Sequence, residues 1–188
     1  MRITLDAISL ILVLAASSFA AAAEPVVGDT AADWTLVSAE GESITLSEAV
    51  ADQPVVLFFW ASWCPYCEAL MPHLQSMRFE NGERMEVLAL NFRDDEGDPA
   101  TLLQKAGYDF TLIPNAEETA GLYNVWGTPG VLIVDRNMKV RFNLYNLPSI
   151  EPPDTGEASG HRTRASYLAM YWAAEIRKTL RAVLGDED

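Results

Sequence analysis

Three features of this 188-residue chain predict an α/β fold, with a central sheet of mixed strand direction flanked by helices and a strand pair on the N-terminal side. Two segments, Pro54 to Trp60 and Met85 to Phe92, are dominated by apolar, β-branched and aromatic residues, as expected of strands buried on both faces. Segments with helical punctuation or helical apolar spacing alternate with them. Near residue 130, Val131 to Asp135 and Lys139 to Tyr145 are joined by Arg136-Asn137-Met138 and read as a hairpin, which brings antiparallel pairing into the sheet.

The elements follow in order. Met1-Arg2, the apolar run Ile8 to Ala16, Ser17-Ser18 and the alanines before Glu24-Pro25 read as a secretory signal with an A-x-A site. Cleavage after Ala23 is expected. An uncleaved anchor is the alternative, because Arg2 is the one basic side chain there and Asp6 opposes it. Against the anchor, Ile8 to Ala23 is shorter than the roughly 20 apolar residues of a spanning helix. Residues 24–188 are then one domain.

Within it, Trp34 to Val37 and Ser43 to Leu46 flank the turn Ala39 to Glu42, and Ser47 to Val50 suggests a short capped helix. After the first buried strand the pattern turns helical from Cys64, with Leu70, Leu74 and Met77 on one face and Asn81-Gly82 as the stop. Pro65 suits the first helical position, and Pro72 inside the helix is expected to kink it. The second buried strand leads into the polar loop Arg93 to Asp98, and Pro99 opens a helix ending near Gly107. Asn115, with Glu118 three residues on, has the form of an N-cap for a short helix through Tyr123. After the hairpin, Asn146 to His161 holds three prolines and two glycines and reads as an irregular loop, long for a compact domain. Ala165, Leu168, Ala169, Trp172, Ile176, Leu180 and Val183 make the apolar stripe of a last helix.

The formal net charge is −14, and removal of residues 1–23 leaves it unchanged, since it takes one Arg and one Asp. So acidic a chain is not expected to bind nucleic acid. Both cysteines lie in Cys64-Pro65-Tyr66-Cys67, so no cysteine remains for a separate structural disulfide. In an exported chain that pair points to redox work or metal binding. A strand-to-helix junction puts Cys64 at the helix N-terminus and Cys67 one turn in, where unpaired N–H groups stabilise a thiolate. A closed structural metal site needs four ligands, and the chain offers two cysteines and two histidines, His73 and His161. Two thiolates with His161 holding Cu(I) is the nearest metal reading. No metal or cofactor is assigned.

Phe59-Trp60-Ala61-Ser62-Trp63-Cys64-x-x-Cys67, Pro72 five residues on, and Trp126-Gly127-Thr128-Pro129 resemble the thioredoxin superfamily, and within it the exported TlpA/ResA/DsbE-like thioredoxins, from about Asp33 to Leu184. The resemblance implies a thioredoxin-like fold and a redox-active Cys64–Cys67 disulfide in place of any cofactor. It makes Cys64 the exposed nucleophile, Cys67 the resolving thiol and Pro129 a cis-proline facing them with Thr128. Trp63, Pro65, Tyr66, Thr128 and Pro129 are then the substrate-binding residues; Trp60 reads as core, and Trp63 and Trp126 as an apolar contact surface around Cys64 or, alternatively, as core packing. The loop from Asn146 starts at the same end of the fold and is expected to form part of the partner-binding rim.

The activity implied is thiol-disulfide exchange on exported, periplasmic proteins by a monomer, as a reductant of the kind used in cytochrome c or copper-site maturation, with a membrane protein as electron donor. The alternatives are a disulfide-forming oxidase and a Cu(I) metallochaperone. Against the first, Gly82 to Gly127 is too short for the helical insertion of DsbA-type oxidases; against the second, copper chaperones of this fold use C-x-x-x-C. A peroxiredoxin would need an upstream proline and threonine at the peroxidatic spacing, which this chain does not have. Pro65-Tyr66 matches glutaredoxins and suggests an intermediate potential. Two departures stand out: cytosolic thioredoxins carry a buried Asp at the position of Phe58, and many TlpA/ResA-like proteins a Glu at that of Leu70. Glu68, beside Cys67, reads as a solvent-facing residue.

Overall fold

The computed structural model describes residues 25–151 and 161–186. The expected signal, residues 1–23, and residues 152–160 of the long loop lie outside them. Strand β1 (Thr35–Val37) pairs antiparallel with β2 (Ser43–Thr45), and helix α1 (Leu46–Ala49) follows. The rest alternates: β3 (Val55–Trp60), α2 (Pro65–Asn81), β4 (Glu86–Asn91), α3 (Pro99–Ala106), β5 (Thr111–Ile113), α4 (Glu117–Leu122), the hairpin β6 (Gly130–Val134) and β7 (Val140–Asn143), and the long α5 (His161–Leu184).

The main sheet has the order β5-β4-β3-β6-β7. Strands β3, β4 and β5 run parallel, β6 is antiparallel to β3, and β7 is antiparallel to β6. These directions bring the chain leaving β3, β4, β5 and β7, and the chain entering β6, to one end of the sheet.

Every residue of β3 is buried, because both faces are covered. Val56, Phe58 and Trp60 face one core with Leu70 and Leu74 of α2 and Ala169, Ile176 and Leu180 of α5. Val55, Leu57 and Phe59 face the other, with Trp34, Leu46, Ala120 and Tyr123. The split follows the two-residue period of a strand. Residues 25–31 run antiparallel beside β7: Asn143 Nδ2 donates to Pro25 O at 2.9 Å, and Ala31 N–H donates to Met138 O at 2.7 Å.

Local departures from the sequence reading have physical causes. Strand β5 was not expected; its three residues are too few to show a period, and pairing with Leu88–Leu90 of β4 makes it a strand. Asn115 is not the cap of α4. It has φ 55°, in the left-handed region, and Ala116 takes the N-cap position with no side-chain hydrogen bond. Ser47 lies inside α1 rather than capping it, and both its N–H and its hydroxyl donate to Asp33, at 3.0 and 2.7 Å. Helix α2 continues through Pro72 and ends at Gly82. Helix α5 takes in the last residue assigned to the loop, His161.

Candidate active site

Strand β3 ends at Trp60, and the turn behind it closes with Cys64 N–H donating to Ala61 O at 3.1 Å. Pro65 then starts α2. Cys64 is the N-cap residue, and its sulfur accepts the Cys67 N–H at 3.1 Å. The two cysteines form a disulfide, with Cα atoms 5.3 Å apart. Cys64 is 3 % exposed and Cys67 fully buried. In this state the expected nucleophile is thus more covered than the sequence reading had it, and the opening that remains belongs to Cys64. Cys67 shares its apolar cluster with Phe58, Leu70 and Met71. Phe58 and Leu70, the two positions noted from sequence for lacking a carboxylate, are fully buried in that cluster, while Glu68 is exposed.

Thr128–Pro129 is a cis peptide. Thr128 and Pro129 line a groove of about 490 Å³ together with Tyr66, Leu147, Leu168 and Trp172, and Tyr66 lies against Trp172 with ring centroids 6.2 Å apart. The structure therefore brings together three of the five expected substrate-binding residues, Tyr66, Thr128 and Pro129. Leu147, Pro148, Ile150 and Glu151 also line this groove, so the first part of the long loop forms one of its walls. Trp63 is 61 % exposed in a separate hollow with Ser62, Arg93, Asp94 and Gly97. Pro65 is exposed on the first turn of α2 and lines neither.

Sequence reasoning passed over the residues that hold these parts. Asp94 accepts hydrogen bonds from the N–H and hydroxyl of Ser62 and from the amide of Asn91. Arg93 accepts the Trp63 indole N–H on its carbonyl and donates from its guanidinium to Trp126 O. The Tyr145 hydroxyl donates to Gly127 O at 2.5 Å and accepts the Gly127 N–H at 3.3 Å, and its ring stacks on Trp126 at 5.1 Å. The one available signal was Asn91, a polar residue at the end of a buried strand, where a buried amide needs partners.

His73 sits half-buried on α2; burial, and then the Arg177 charge, hold its pKa below the usual value. The side chain of His161 is outside the described part of the structure. Among the described residues no cluster of three or more His, Cys, Asp or Glu could hold a metal ion.

Residues 27–143 match the model of the AhpC/TSA family. The chain is similar to the thiol-disulfide oxidoreductase ResA of Geobacillus kaustophilus, at 28 % identity over 117 residues, covering 61 % of this chain and 67 % of that protein. It is similar at 28 % over 120 residues to the thiol:disulfide interchange protein DsbE of Allochromatium vinosum, covering 62 % of this chain and 65 % of that protein. Its fold is similar to that of a Chlorobium tepidum protein assigned as a thiol:disulfide interchange protein DsbE, with a TM-score of 0.64 and 26 % identity over 85 % of this chain and 99 % of that one.

Proposed function

We propose, for a chain that belongs to the AhpC/TSA family and is a thiol-disulfide oxidoreductase of the ResA/DsbE type, that it works as a reductant of disulfides in exported proteins. The reductant direction is what the resemblance of the motifs to TlpA/ResA/DsbE-like thioredoxins implies, and export rests on the leader-like residues 1–23, with residues 24–188 as the working domain. The observation that carries the chemistry is Cys64 at the N-cap of α2, beside a groove shared by Tyr66 and the Thr128–Pro129 loop.

In the reduced protein the Cys64 thiolate attacks one sulfur of the partner disulfide, and the other partner sulfur leaves as a thiolate. Cys67 then loses its proton and attacks Cys64 Sγ. The Cys64–Cys67 disulfide forms, the second partner sulfur leaves, and two electrons have passed to the partner. The N-terminal end of α2 and the Cys67 N–H stabilise the Cys64 thiolate. The partner chain lies across Tyr66, Thr128 and Pro129, with residues 147–151 as rim. A dithiol protein in the membrane restores the reduced state. Maturation of cytochrome c or of a copper site fits such a reductant.

Equilibration in glutathione buffers with thiol trapping tests the direction. The expected potential is about −200 mV or lower; one near the roughly −120 mV of DsbA overturns the reductant reading. A Cys67→Ser variant, which cannot resolve the mixed disulfide, then captures the partner.

A further inference from the structure

The partner chain must reach Cys64 past two segments, the turn that carries Cys64 and the loop that carries Pro129; Arg93 is tied to both, and Asp94 to the first. Asp94 holds the first. It accepts the Ser62 N–H at 2.7 Å and the Ser62 hydroxyl at 2.8 Å, inside the Ala61–Cys64 turn, and the Asn91 amide at 2.8 Å. Gly97 closes over this pair: its N–H donates to Asp94 O at 3.0 Å, and a Cβ there would overlap Asp94 Oδ1 and Ser62 Oγ. Arg93 reaches both sides. Its carbonyl accepts the Trp63 Nε1–H at 2.8 Å, its guanidinium donates to Trp126 O at 3.3 Å, and its N–H donates to Glu117 Oε1 at 2.9 Å. It does so at φ 55°, a region that side chains other than Gly, Asn and Asp seldom adopt. Arg93 thus holds the indole of Trp63 and the backbone of Trp126, whose ring rests on Tyr145; the two tryptophans are 61 % and 65 % exposed.

We propose that Arg93 and Asp94 are positioning residues for exchange with polypeptides: Asp94 fixes the turn that presents Cys64, and Arg93 sets the spacing of the Trp63 and Trp126 walls. The proposal rests on thiol-disulfide exchange at Cys64. A small disulfide needs to reach only the sulfur, whereas a polypeptide must also pass between the walls. Loss of Asp94 therefore acts on every substrate, and loss of Arg93 acts selectively on polypeptides.

The test compares reduced full-length protein against Ellman's reagent and against a short peptide dimer joined through one cystine. Arg93→Gly keeps a residue suited to φ 55° and removes the guanidinium. It is expected to lower the peptide-to-Ellman ratio of single-turnover second-order rate constants about tenfold. Asp94→Ala is expected to slow both substrates about tenfold with the ratio held. Gly97→Ala, which displaces the Asp94 carboxylate without removing it, should reproduce that result and replaces Asp94→Ala if the latter does not fold. An unchanged ratio in Arg93→Gly overturns the role of Arg93. Wild-type rates when the Asp94–Ser62 pair is broken overturn that of Asp94. Failure of the unmodified protein to exchange with either disulfide would instead sink the exchange reading itself.

Discussion

Resolution asks Cys67 to give up a proton inside an apolar cluster with Phe58, Leu70 and Met71, each at most 1 % exposed. Apolar burial disfavours a thiolate, and neither Phe58 nor Leu70 carries a group that could act as a base. The proton must pass to water or to a group outside that cluster. Leu70→Glu should therefore speed collapse of a preformed mixed disulfide tenfold or more, within the roughly 10²–10⁴ that a placed general base contributes. Stopped-flow release of the partner measures this, and an unchanged rate would show that proton transfer does not limit resolution. Urea unfolding should show a cost on the order of 3 kcal/mol for the buried polar group. At this scale the cysteines, Thr128 and Pro129 were legible because they lie in short motifs. Arg93 and Asp94 were not: their partners Ser62, Trp63 and Trp126 are about thirty residues away along the chain, and only the sheet brings them near.

Among the elements, α2 and α5 pack on each other, and Arg177 of α5 donates to Glu80 of α2 at 2.9 Å. His73 lies close enough to Arg177 to feel its charge, and burial first and that charge second lower its pKa from 6.5. The unfolded chain then binds the proton at a higher pH than the folded one does. Between 6.5 and the lower folded value, the unfolded state holds more protons, so stability falls as the solution is acidified through that window. Melting followed from about pH 7.5 to about pH 5.5 should show a smaller loss in His73→Gln than in the parent protein; equal losses would remove His73 from the account. The long apolar periods of α2 and α5 and the buried runs of β3 and β4 were readable because burial imposes them residue by residue. Strand β5 and the start of α4 were not, because three residues carry no period and the left-handed Asn115 looks like a cap from sequence.

For the whole molecule the dominant electrostatic fact is a net charge of −14. Self-repulsion at that charge opposes the compact state, and exposed ion pairs such as Arg84–Asp186 contribute little against it. Raising salt from about 0.02 M to about 1 M shortens the screening length to about 3 Å and should raise the melting temperature; a fall would mean that attractive pairs outweigh the repulsion. The route of residues 25–31 beside β7 also sets which way the molecule faces when held. Pro25 meets Asn143 at the end of the sheet that carries the disulfide, while Met138 and its turn lie at the other end. A tether joined at Pro25 would turn the redox end toward the supporting surface, and its length would decide how much standoff a bulky partner finds there. Attachment through the Arg136–Met138 turn would present the same end outward.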